Sequence, residues 1–203
     1  MRFIISFALA VFLMSPTAVL GQSFSDGVEA YRSGDYGVAF DTMSTLAKEG
    51  DPAAQFNLAV MYRAGRGVVK NLPKAAEWNR RAAEQGHIDA QTRMGFMYEQ
   101  GDGVVQNYSE AVKWYRRAAR QGDPVGQNFL GSAYVTGTGV NENRVLGYVF
   151  TSLAAAQGRE PAAEMRDLIL EQLSREQITQ AQRIASKWQV GMPLPRPEDV
   201  SIE

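Results

Sequence analysis

Few side chains in this chain could do chemistry as a group. It holds one histidine, His87, and no cysteine. That removes most metal-ligand sets and most base-activated nucleophiles. Ser44 and Lys48 share a helix face, but no Ser-x-x-Lys motif is present, which argues against a penicillin-recognising hydrolase. Gly-x-Gly-Val occurs at 65–68, 101–104 and 137–140. These loops lack the preceding strand and following lysine of a phosphate cradle, so they read as turn geometry. Arg80-Arg81 and Arg116-Arg117 read as a solvated helix face, with Glu77 well spaced from Arg81. His87 stands at a helix start, where Asp51 and Asp123 stand in neighbouring segments, and reads as a cap. No catalytic, cofactor or metal site is expected. An enzyme acting on cell-wall or β-lactam substrates would need a clustered acid, base and nucleophile. A carbohydrate binder would need exposed aromatic platforms, with Trp78 and Trp114 as candidates.

The elements behind these residues repeat every 36 positions. Tyr62, Tyr98 and Tyr134 keep this register, as do Trp78, Trp114 and Phe150, and the Gln-Gly pairs at 85, 121 and 157. Such a period means a stacked array, because one short unit cannot bury its own apolar face. Each unit reads as two antiparallel helices. The first starts at an Asp or His cap, twice followed by proline, and stops at Gly65, Gly101 or Gly137. The second is capped by Asn71, Asn107 or Asn143 and ends at Gln-Gly. Asn107 with Glu110 has capping-box spacing. The units span 51–86, 87–122 and 123–158. An opening hairpin covers 22–50, a closing hairpin 159–189, and an extended, mobile tail 190–203. The expected fold is all-α, a right-handed α/α solenoid.

Periodicity near 100° per residue separates two faces on the first helix of each unit. Ala54, Leu58, Met61 and Tyr62 recur in type and read as the stacking face. The opposite stripe varies: Phe56, Asn57, Val60 and Arg63, then Thr92, Arg93, Phe96 and Glu99, then Asn128, Phe129, Ser132 and Val135. Aromatics beside Arg and Asn, on a surface not needed for stacking, make a candidate partner site. The chosen residues are Asn57, Val60, Arg63, Arg93, Phe96, Glu99 and Phe129. Phe56 and Phe129 could equally pack between units.

The first residues read as an export signal. Met1-Arg2 is basic, residues 3–14 are apolar apart from Ser6, and Ser15-Pro16 breaks the run. Cleavage is expected before Gln22, and the run is too short for a comfortable membrane span. Lipid attachment at cysteine is excluded. Losing Arg2 leaves 20 basic and 22 acidic residues, a formal charge of −2. That is no footprint for nucleic acid. A periplasmic or secreted monomer, with no stable membrane insertion, is expected.

The units resemble the Sel-one-like repeat, a relative of the tetratricopeptide repeat. Ala90, Met94, Gly95, Tyr98, Gly101, Gly103, Val104, Asn107, Ala111, Trp114, Ala118, Ala119, Gln121 and Gly122 carry the pattern in the middle unit. The third unit departs mildly, with Gly147 for Ala and Phe150 for Trp. The resemblance implies a superhelix of hairpins whose first helices line a concave groove. It also implies a non-catalytic adaptor binding another protein at the bacterial envelope, with no shared catalytic residues.

Overall fold

The computed structural model describes residues 23–200. The expected signal segment and its cleavage site lie outside the described residues. Ten α-helices follow one another among those described: α1 Phe24–Ser33, α2 Tyr36–Glu49, α3 Pro52–Ala64, α4 Leu72–Glu84, α5 Ile88–Gln100, α6 Tyr108–Arg120, α7 Pro124–Thr136, α8 Arg144–Ala155, α9 Glu160–Leu170 and α10 Arg175–Lys187. A 3₁₀ turn, Pro197–Val200, closes the described chain. No strand occurs among the described residues, and successive helices from α1 to α9 pack on one another in an α/α solenoid; α10 packs on α8 rather than on α9, so residues 159–189 do not form the expected closing hairpin. No described helix is long and apolar enough to cross a membrane.

The helix starts are made by side chains. Asp51 accepts from the Ala54 N–H at 2.7 Å, and His87 does the same through Nδ1 to Ala90 at 3.3 Å. Asn71, Asn107 and Asn143 cap α4, α6 and α8. Each such bond satisfies a donor that the first helical turn leaves free. The Asn107 box is only half formed, because Glu110 turns away to pair with Lys113 at 2.5 Å. At Ser174 both halves form, with Gln177 reaching back to the Ser174 N–H.

Gly65, Gly101 and Gly137 end their helices in the left-handed region, with φ of 70°, 78° and 69°. The second glycine of each loop has a different task. A Cβ on Gly103 would lie 2.3 Å from the Leu72 carbonyl oxygen, and one on Gly139 equally close to that of Tyr108. Each loop is thus seated on the start of the second helix of the preceding unit. Only glycine permits that approach.

A glutamine tie recurs at three successive junctions, from the opening hairpin to the third repeat. Gln55 Nε2 donates to the Ala47 carbonyl at 3.1 Å, and its Oε1 accepts from Gln85 Nε2 at 2.8 Å. Gln91 repeats this with Ala83 and Gln121, at 3.1 Å and 2.8 Å. Gln127 repeats it with Ala119 and Gln157, at 3.5 Å and 2.9 Å. All three first-helix glutamines are buried. One amide therefore joins the end of one hairpin to both helices of the next, and burial makes its loss costly.

The tail departs from expectation. It is extended through the prolines but lies against the body. The Gly191 N–H donates to the Arg120 carbonyl at 3.1 Å, Pro195 is buried, and Val200 joins the core cluster that holds Phe150 and Ile169. The apolar side chains among the prolines secure it.

Candidate functional site

The varying stripe of α3, α5 and α7 borders a groove of about 400 Å³. Phe56, Phe96 and Phe129 supply its apolar walls. Arg93, Thr92, Asp89 and Asp123 supply its polar groups. Of the seven residues chosen from sequence, Arg93, Phe96 and Phe129 meet here. Asn57, Val60, Arg63 and Glu99 do not line it, so the seven do not form one site.

Local geometry accounts for the division. Asn57 Nδ2 turns back to the Ala53 carbonyl one turn earlier, at 2.8 Å. Val60 is half-buried on α3. Arg63 is half-buried and close enough for its charge to act on Arg93. Glu99 accepts from the Tyr115 hydroxyl at 2.6 Å and faces a smaller pocket of about 180 Å³ between α6 and α7. Phe129 belongs to both hollows. Its ring stacks on Tyr115, centroids 4.9 Å apart and planes at 10°.

Tyr115 reaches this position because α5 has a glycine beneath it. A Cβ on Gly95 would lie 2.4 Å from the Tyr115 ring. Burial, then the hydrogen bond to Glu99, raises the Tyr115 phenol above its ordinary range. The Arg93 guanidinium shifts down, first through burial and then through Arg63. It lies 5.8 Å from the Phe96 ring centroid and ion-pairs with no described carboxylate. A partly desolvated cation beside aromatic rings is suited to gripping a carboxylate or a carbonyl.

The groove's ends are closed by pairs that sequence reasoning missed. Phe56 stacks on His87 at 4.8 Å. Thr92 Oγ1 donates to Asp123 Oδ2 at 2.5 Å. His87 and Asp123 are thus both caps and bridges between units.

The arginine pairs are also more than a solvated face. Arg80 donates to the Tyr98 hydroxyl at 3.1 Å, and Arg116 to that of Tyr134 at 2.6 Å, each reaching into the next unit. Arg81 and Arg117 lie over Trp78 and Trp114, at 4.4 Å and 4.3 Å from the ring centroids. Trp114 is buried and Trp78 packs on the Met43 and Met61 cluster, so neither offers an open platform for a sugar ring. The recurring tyrosine and tryptophan are structural, as their spacing implied.

Among the described residues no cluster of three or more His, Asp or Glu side chains could hold a metal ion. Ser44 occupies the register position of Arg80, and neither an acid nor a base is brought to it by the hydrogen bonds described.

An array of packed hairpins with a groove along its first helices defines an α/α solenoid repeat protein. The chain belongs to the Sel1 repeat family, whose model matches residues 52–87, 88–123 and 124–158. Sel1 repeat proteins are generally protein-interaction scaffolds. A Sel1 repeat protein from Oxalobacter formigenes superposes with a TM-score of 0.70 at 35% identity, over 74% of this chain and 62% of that one. The second similar structure is c5321, a protective antigen of uropathogenic Escherichia coli displaying an SLR fold. It gives a TM-score of 0.69 at 25% identity, over 81% of this chain and 40% of that one. The chain therefore spans less than two thirds of either relative. No match is found among curated proteins.

Proposed function

We propose that this is a non-catalytic, exported protein-interaction scaffold of the bacterial envelope, monomeric, holding a segment of a partner protein in the groove along α3, α5 and α7. One observation carries the reading. The side chains that recur are consumed in fastening units together, whereas Phe56, Phe96, Phe129 and Arg93 differ from unit to unit and border one continuous hollow. Apolar anchors beside a few polar groups are what segment recognition uses. Export is supported by the basic start, the apolar run and the break at Ser15-Pro16. The likeness to a protein named as a protective antigen is in keeping with an envelope location.

A photo-crosslinking amino acid at Val125, which lines the groove, should capture a partner that the same group at exposed Lys113 does not. With that partner purified, the Phe96→Ala, Arg93→Ala double variant should bind it about tenfold or more weakly. Undiminished binding rejects the groove. Recovery of the full chain only from the cytoplasm, with its leader intact, rejects the location.

A further inference from the structure

A third hollow, of about 490 Å³, shares no residue with the groove. It lies between α6 and the returning tail. Buried Leu130, Tyr134 and Phe150 line it, with Pro193, Leu194 and Pro195 contributed by the tail. Four guanidinium-bearing residues also line it: Arg116, Arg117, Arg120 and Arg196.

Two of these are already held in place, Arg116 by the Tyr134 hydroxyl and Arg117 by the Trp114 ring. Neither contact neutralises charge. Only Arg196 ion-pairs, with Glu198 at 3.0 Å. Among the described residues Arg116, Arg117 and Arg120 ion-pair with no carboxylate and Arg120's side chain has no hydrogen-bond or ring partner, while the Glu198 carboxylate lies close enough for its charge to act on Tyr134. This concentration of positive charge sits in a chain whose formal net charge is −1.

We propose that this cleft is a binding site for a small amphiphilic oxyanion: a carboxylate or phosphate carried on an apolar body. The forked guanidinium matches the oxygens of either head group, and prior immobilisation lowers the entropy lost on binding. The apolar lining takes the body of the ligand. The volume falls within the roughly 300–1,000 Å³ of small-molecule sites, which pair apolar walls with a few convergent polar groups.

The test is calorimetric titration of the exported, purified protein with octanoate, octyl phosphate, inorganic phosphate and 1-octanol. Trp114 fluorescence provides a second signal, because Arg117 lies over that ring. Both tailed anions should bind saturably. Inorganic phosphate and 1-octanol should each bind about tenfold more weakly or worse. Whichever tailed anion binds tighter names the head group. The Arg120→Gln, Arg196→Gln double variant changes two exposed side chains and should fold normally. It should lose about tenfold in affinity for both tailed anions and leave 1-octanol unchanged. The groove variant Thr92→Val should match the parent. Octanol binding as tightly as octanoate would reduce the site to a greasy cleft. Phosphate binding as tightly as octyl phosphate would reduce it to a bare cationic patch. Either result, or no saturable binding at all, overturns the proposal.

Discussion

The junction between the first and second repeats and the junction between the second and third are built on one plan with different contents. Positions 56 and 87 hold a Phe–His stack. Their counterparts 36 residues on, 92 and 123, hold a hydroxyl–carboxylate hydrogen bond. The glutamine ties and the arginine–tyrosine bonds, by contrast, are the same at both junctions. Stacking geometry dictates the second set, because one amide must satisfy two partners at once. It leaves the first set free, provided something fills the space. Three of those four free positions, Phe56, Thr92 and Asp123, also border the groove. Variation and exposure to a partner thus coincide on one stripe.

The largest test concerns the loops. Gly103→Ala places a methyl against the Leu72 backbone at a φ of 72°. The variant should lose about 4 kcal/mol in urea unfolding, from left-handed strain and overpacking together. Gly158→Ala shares the left-handed backbone, φ 82°, but meets nothing within 4 Å. It should lose only about 1 kcal/mol. Equal losses would show that the loop is not seated on its neighbour.

Next comes the site that lets Tyr115 in. Gly95→Ala should cost about 2 kcal/mol, because the ring must move. In a Tyr115→Ala background the same change should become neutral or stabilising, since alanine favours helix. At the equivalent position of the first repeat, Ala59→Gly should cost about 1 kcal/mol. A Gly95→Ala penalty that persists without the tyrosine would remove the distinction between the two repeats.

The bridges themselves are smaller. Thr92→Val should cost about 1 kcal/mol, measured by thermal unfolding, by leaving a carboxylate oxygen with one donor fewer. His87→Ala should cost about as much, through loss of a cap and a stack. If only one of the two matters, the junctions are not equivalent supports.

Tyr115→Phe should cost no more than these at neutral pH, about 1 kcal/mol from the bond to Glu99. Its signature is alkaline. The folded phenol titrates above its ordinary value, while the unfolded phenol ionises near pH 10. The unfolded chain therefore binds fewer protons above about pH 10, and stability falls as pH rises from there. Below that pH the contribution is fully present. The phenylalanine variant should lose stability less steeply above pH 10, and an unchanged slope would contradict the assignment.

The helices were legible because their boundaries are written locally. Asp, Asn, His and Gly act within a turn of where they stand, so both ends of α3 and of α5 follow from the caps. The groove was only partly legible. Periodicity places Arg93, Phe96 and Phe129 on one stripe, but it cannot show that Glu99 is drawn away by Tyr115. Nor can it show that Asn57 bonds to its own helix. Those outcomes depend on which neighbour fills a gap. Gln55, Gln91 and Gln127 keep the 36-residue register as faithfully as the tyrosines. Polar residues repeated so strictly on a packing helix were a signal available in the chain. The docking of the tail was hidden because prolines announce only that helix has ended.

That returning tail has an evolutionary consequence. A stack of this kind lengthens by duplicating a unit, provided each copy finds an open end to sit on. Here the returning segment lies across the second helices of two repeats, with Gly191 tied to the Arg120 carbonyl of α6 and Val200 lodged beside Phe150 of α8. A duplicate inserted before residue 159 would inherit matching surfaces on both sides. A copy inserted between α10 and Gly191 would carry Gly191 and Val200 away from the α6 and α8 contacts that hold them.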